Sequence, residues 1–131
     1  MVGHMRTMLI ATALLLAACN KAQVTALEVC AKLTAQGVAS GCKDGGPSEG
    51  IAAAASERAV FDLPSVPGET GQVLRFGKSS DYDATLKAFD AMAALAGRHR
   101  YGSERALIFV QLNSKASTEV GAKASAVVGA L

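Results

Sequence analysis

The chain has 131 residues, 13 Lys/Arg, 11 Asp/Glu and a formal net charge of +2, a near-neutral balance that argues against a nucleic-acid partner, which would want a strongly basic face. Half of its residues are hydrophobic, yet only 5% are aromatic and Trp is absent; alanine carries much of the apolar content, which implies a thin, closely packed core. The length suits one domain with one modest core.

The N-terminal stretch carries the most specific signal. Arg6 is followed by the apolar run Met8-Leu9-Ile10-Ala11-Thr12-Ala13-Leu14-Leu15 and then by Leu16-Ala17-Ala18-Cys19. As a helix, Met8 to Ala18 would span roughly 16 Å; crossing a bilayer takes about 20 apolar residues. No polar face interrupts Leu9 to Ala18, unlike the surface helix of a folded domain. A basic start, a short apolar run and small residues before the next segment fit a cleaved secretory signal.

Leu16-Ala17-Ala18-Cys19 resembles the lipobox of a bacterial lipoprotein signal peptide. The resemblance covers only about the first 19 residues, and either Met1 or Met5 serves as its start. It implies cleavage before Cys19, acylation of Cys19 and attachment to the membrane through the N-terminal lipid. In Gram-negative lipoproteins the residue after the lipidated Cys influences sorting, and Asn20 in place of Asp implies the outer membrane. The expected organisation is a signal peptide over 1–18, a lipidated N-terminus and short tether over 19–23, and one domain over 24–131.

With Cys19 assigned to lipid, Cys30 and Cys42 remain as a pair in an exported, oxidising setting. A disulfide would close a loop of about 13 residues and contribute on the order of 3 kcal/mol; two free buried thiols are the alternative. No metal site is expected, because His99 is the only histidine after the signal and no second Cys pair exists. The Cys spacing is also too wide for Cys-x-x-Cys redox chemistry.

Helical periodicity predicts a first helix over about 22–36, with Thr25, Glu28, Lys32 and Gln36 in one polar sector and Gly37 as its left-handed terminator. Val38-Ala39-Ser40-Gly41 then turns the chain so that Cys42 reaches Cys30, and 43–50 reads as a flexible loop. Residues 52–55 fit either a helical turn or the approach to a strand. Alternation sets Ala59, Phe61 and Leu63 against Arg58, Val60 and Asp62 in a half-buried strand. After the turn-rich segment 64–71 comes a second strand, with Leu74 and Phe76 inward and Gln72, Val73 and Arg75 on the other face. The two strands should form a wide antiparallel hairpin.

A second helix over 81–96 is marked by Tyr82, Leu86, Phe89, Ala93 and Ala96, with Ser80 as cap, Asp81 and Asp83 in the first turn, and Gly97 at its end. Residues 98–104 read as a polar loop. Ala106-Leu107-Ile108-Phe109-Val110 suits a strand buried on both faces. Ser117 should cap a last helix whose Val120, Ala124, Val127 and Leu131 face the core. The order α-β-β-α-β-α, with a right-handed crossover, predicts an α+β sandwich: a three-stranded mixed sheet with about three helices, not all on one side.

The chain carries no Gly-x-Ser-x-Gly elbow, His-Glu-x-x-His, phosphate loop or calcium loop. Asp81 and Asp83 read as helix-dipole partners rather than an acid–base pair. Arg98, His99, Arg100 and Tyr101 are the candidate anion- or ligand-binding loop, with a solvated loop as its plainer reading; Arg58 and Arg75 would join it only if strand geometry brought them near. The expected function is a non-catalytic envelope module without cofactor, working through an envelope protein or a cell-wall contact. The alternative is a small-ligand or anion-binding protein using 98–101.

Overall fold

The computed structural model describes residues 23–131; the lipobox and Cys19 lie outside the described residues. The elements in chain order are α1 (Ala26–Ala35), β1 (Ser40–Asp44), a 3₁₀ turn (Gly50–Ala52), β2 (Glu57–Asp62), β3 (Thr70–Arg75), α2 (Ser79–Ala91), α3 (Ala93–Ala96), β4 (His99–Ser103), β5 (Ile108–Leu112) and α4 (Thr118–Gly129). The α+β class matches the sequence expectation, but the sheet has five strands in the order β1-β2-β3-β5-β4. Every pairing is antiparallel.

The three-stranded mixed sheet is therefore corrected, and the cause is specific. The polar segment after α3 is a strand, β4. It reverses the chain once more before β5, so β5 meets β3 antiparallel rather than through a parallel crossover. Residues 40–44, expected as turn and loop, form the opposite edge strand, β1. Both missed strands are short, polar and at sheet edges, where charged side chains discourage further pairing. The expected β2–β3 hairpin is present, in register from Glu57 opposite Arg75 to Asp62 opposite Thr70.

α1 is shorter than expected because Thr25 caps it: its hydroxyl accepts from Glu28 N–H. Its C-terminus closes as anticipated, with Gly37 at φ +74°. Val38 N–H donates to Leu33 O and Gly37 N–H to Thr34 O, satisfying two terminal carbonyls. Cys30 and Cys42 are disulfide-bonded, Cα–Cα 6.1 Å, fastening α1 to β1. Ser117 caps α4 by accepting from Val120 N–H. The expected helix over 81–96 begins instead at Ser79, preceded by Lys78 rather than by a capping Ser80. It breaks at Met92 into α2 and α3 before Gly97 turns at φ +79°.

The sheet separates two apolar layers. On one face, α1 and α4 cover Ala59, Phe61, Val73, Ile108, Val110 and Leu112. On the other, α2, α3 and the 3₁₀ turn cover Leu74, Phe76 and Phe109, with Phe89 stacked on Phe109 at 5.0 Å between centroids. Each large apolar side chain sealed in this way contributes about 1.5–3 kcal/mol. Gln72 lies on the face of Leu74 and Phe76, while Val73, expected on the exposed side, is fully buried on the opposite face. The second layer covers only one end of its face, and the other end is open.

Candidate functional site

Cross-strand register sets Val60, Gln72, Gln111 and Arg100 in one row across the second face. Arg58 lies one residue pair along β2, on the same side. At the uncovered end these residues form a polar floor. Arg58 Nε donates to Gln72 Oε1 at 2.9 Å, and Gln72 Nε2 donates to Gln111 Oε1 at 2.8 Å. Gln111 Nε2 then donates to Ala96 O at 2.6 Å. Arg58 is held from its other side by Gly45 O, 2.8 Å from Nη1. The ladder thus runs from the β1 edge to α3, with every side chain in it fixed by a neighbour.

Two depressions flank the ladder. One, of about 340 Å³, lies over Thr70, Gln72, Gln111, Asn113 and Ser114, with Leu95 of α3 on its wall. Leu95 is 82% exposed, the most exposed large apolar side chain among the described residues. The second lies beneath the 45–52 segment and shares Arg58 and Gln72. On its wall the Ser48 hydroxyl is buried without a hydrogen-bond partner. At the far end, Asn113 Nδ2 and Lys115 Nζ both donate to Glu69, each at 2.8 Å. This pairing ties the β2–β3 loop to the β5–α4 loop, and it raises the Lys115 pKa.

The floor offers more donors than acceptors. An arginine carries five N–H groups, and a glutamine two N–H groups and one oxygen. After the ladder bonds, three N–H groups of Arg58 and one N–H on each of Gln72 and Gln111 have no protein partner in the bonds above. The oxygens of both glutamines already accept once. The arrangement is chemically suited to partners that present carbonyl or carboxylate oxygens.

Arg98, His99, Arg100 and Tyr101 do not form a loop: His99 opens strand β4, and the four side chains diverge rather than converge on one point. His99 and Tyr101 point to the first face, beneath α4, and His99 is 4% exposed. Its Nε2 lies 2.7 Å from Ala116 O and its Nδ1 2.8 Å from the Tyr101 hydroxyl. A carbonyl can only accept, so Nε2 carries a hydrogen; in the neutral ring Nδ1 then accepts from Tyr101. Burial raises the Tyr101 pKa above its ordinary value near 10, and Arg98 opposes that shift.

Arg100 points to the second face but turns away from the groove, donating to Gly97 O and pairing with Asp90. Arg98 donates to Ser114 O and Ala116 O. Three of the four residues therefore fasten backbone carbonyls around 97 and 114–116. Of the two other arginines, Arg58 reaches the groove, whereas Arg75 lies on the opposite face of the sheet, level with Ile108, and pairs with Glu57. Uncharged amides carry no motif, so nothing local in the sequence marks Gln72 and Gln111 as site residues. Their equivalent positions on paired strands were the one available signal.

Among the described residues, no group of three or more His, Cys, Asp or Glu side chains could hold a metal ion. None of the helices among them is long and apolar enough to cross a membrane. Comparison of the chain with protein-family models, with curated proteins and with solved structures finds no match.

Proposed function

We propose that this is a lipid-anchored cell-envelope module, held through acylated Cys19, that binds a partner in the groove over Arg58, Gln72 and Gln111 without catalysing a reaction on it. The observation that carries the reading is the ladder itself. Its donors are fixed by Gly45 O and Ala96 O, so little side-chain entropy is lost on binding. The partner class is an extended segment of an envelope protein or of the cell wall that presents carbonyl and carboxylate oxygens to the floor and an apolar group to Leu95. The Cys30–Cys42 bond is of the kind that persists in exported, oxidising compartments. The order Arg6, apolar run, Leu16-Ala17-Ala18-Cys19 supports export and anchoring, with Asn20 favouring the outer membrane.

Anchoring and binding are tested separately. Cys19→Ala should release the chain from the membrane fraction and change its electrophoretic mobility; unchanged attachment contradicts the anchor. For the groove, the soluble domain is titrated with acetylated dipeptides differing only in a free or amidated C-terminus. The carboxylate form should shift the Arg58 Nε–H and the Gln72 and Gln111 amide NMR signals. Shifts confined to other surfaces would contradict the groove.

A further inference from the structure

Where the polypeptide enters the fold is fixed by a clamp. Gln23 Nε2 donates to Phe76 O at 3.0 Å and to Ala106 O at 3.1 Å, while its Oε1 accepts from Arg75 Nη2 at 2.7 Å. Arg75 in turn pairs with Glu57, whose other oxygen accepts from Ala26 N–H at the start of α1. One side chain therefore spans the end of β3, the β4–β5 turn and, through Arg75, the start of β2.

That clamp lies at one pole of the sheet and the Leu95 end of the groove at the other, with Arg58, one residue beyond Glu57 on β2, reaching from the clamp side toward Gln72. Phe76 follows the last residue of β3, whereas Thr70 and Gln72 of the groove are at its beginning. Ala106 precedes β5, whereas Gln111, Asn113 and Ser114 are at and beyond its end. At about 3.4 Å per strand residue, the two poles are separated by roughly 17 Å.

Cys19 stands four residues before Gln23, a reach of at most about 14 Å for a fully extended chain. We infer that the pole around Gln23 lies against the lipid headgroups, with the β4–β5 turn as its contact, and that the groove opens away from the membrane. This inference rests on acylation of Cys19. A tether this short cannot carry the domain around to place its far pole on the bilayer.

The surface at that pole fits the assignment. Beside Gln23 is a depression lined by Val24, Ala106, Leu107 and Leu131, whose ionisable side chains are Lys32 and Arg105, both cationic; exposed Glu104 in the same turn is an anion set against them there. Anionic headgroups attract the two cations within about one Debye length, ~8 Å at physiological salt. Leu27, in the first turn of α1, is 48% exposed and adds apolar surface next to the tether. The partner of the groove would then approach from the aqueous side rather than from within the membrane.

The test uses the full chain as its producing cell processes it, extracted with detergent from whole cells rather than from a membrane fraction. Arg105→Cys and Ser114→Cys, each at an exposed position, take a fluorophore at the introduced thiol. The labelled chains are reconstituted in phosphatidylethanolamine–phosphatidylglycerol vesicles carrying a headgroup-attached quencher. Quenching should be several-fold stronger at 105 than at 114. Equal or reversed quenching in a membrane-bound chain overturns the orientation and leaves the anchor standing. Failure of the chain to partition into membranes with Cys19 intact overturns the anchor, and the orientation falls with it.

Discussion

Gly121 of α4 lies directly on His99 of β4: a methyl group at position 121 would overlap the His99 imidazole and the Tyr101 hydroxyl. The glycine lets α4 approach closely enough to seal the His99–Tyr101 bond under the helix. An exposed helical glycine replaced by alanine gains about 1 kcal/mol of helix propensity. Here steric overlap outweighs that gain, and Gly121→Ala should destabilise the domain by about 1–3 kcal/mol in urea titration. Stabilisation by this substitution would show that α4 is free to lift from β4.

His99 should behave as a structural residue. His99→Ala removes a buried ring and leaves the Tyr101 hydroxyl without its His99 partner, while Ala116 O keeps its bond from Arg98; the cost should be about 2–4 kcal/mol in denaturation midpoint and slope. A solvated loop would lose less than about 0.5 kcal/mol, which is what the sequence led us to expect of residues 98–100. Near-silent replacement would return His99 to the surface.

Reduction of Cys30–Cys42 should lower stability by about 3 kcal/mol, because β1 and α1 lose their link. A non-reduced digest should contain the two cysteine peptides joined. Alkylation of both thiols in the untreated native protein would contradict the structure.

Alkaline titration offers a further check. The pKa values of Tyr82 and Tyr101 are raised, chiefly by burial, with Glu104 and Asp83 adding to the shift of Tyr82. The folded state disfavours the phenolate, so the unfolded chain loses these protons first. The stabilisation is complete below the ordinary tyrosine value near 10 and is lost as pH rises through the higher folded values. Unfolding free energy measured upward from pH 9 should therefore fall, and Tyr82→Phe with Tyr101→Phe should flatten that fall. An unaltered slope in the double variant would assign alkaline lability to other groups.

Much of the interior was legible because periodicity reports burial. Phe61, Phe76, Phe109 and Ala124 lie in the core, while Val120, Val127 and Leu131 of the expected α4 stripe are only partly buried and Val128 is buried in their place; Gly37 and Ser117 end and begin their helices as their chemistry requires. The open face was not legible. Its floor depends on which strand neighbours which, and β4, a polar edge strand, sets β5 antiparallel beside β3. The Arg98-His99-Arg100-Tyr101 segment does alternate, but its charge obscured a half-buried edge strand whose arginines bond carbonyls instead of water. Gln72 and Gln111 become partners only through the β3–β5 register, a long-range relation that no local pattern encodes.

The groove as the working surface is tested most directly by photo-cross-linking in intact envelopes from a reactive residue installed at Leu95. The cross-linked species is compared between chains carrying Arg58 and Arg58→Ala at matched abundance and thermal midpoint. The account predicts a discrete adduct from position 95, no such adduct from exposed Lys87 on α2, and loss of the adduct when Arg58 is replaced. An adduct at Leu95 that persists undiminished in Arg58→Ala, or one that forms equally from Lys87, would contradict it.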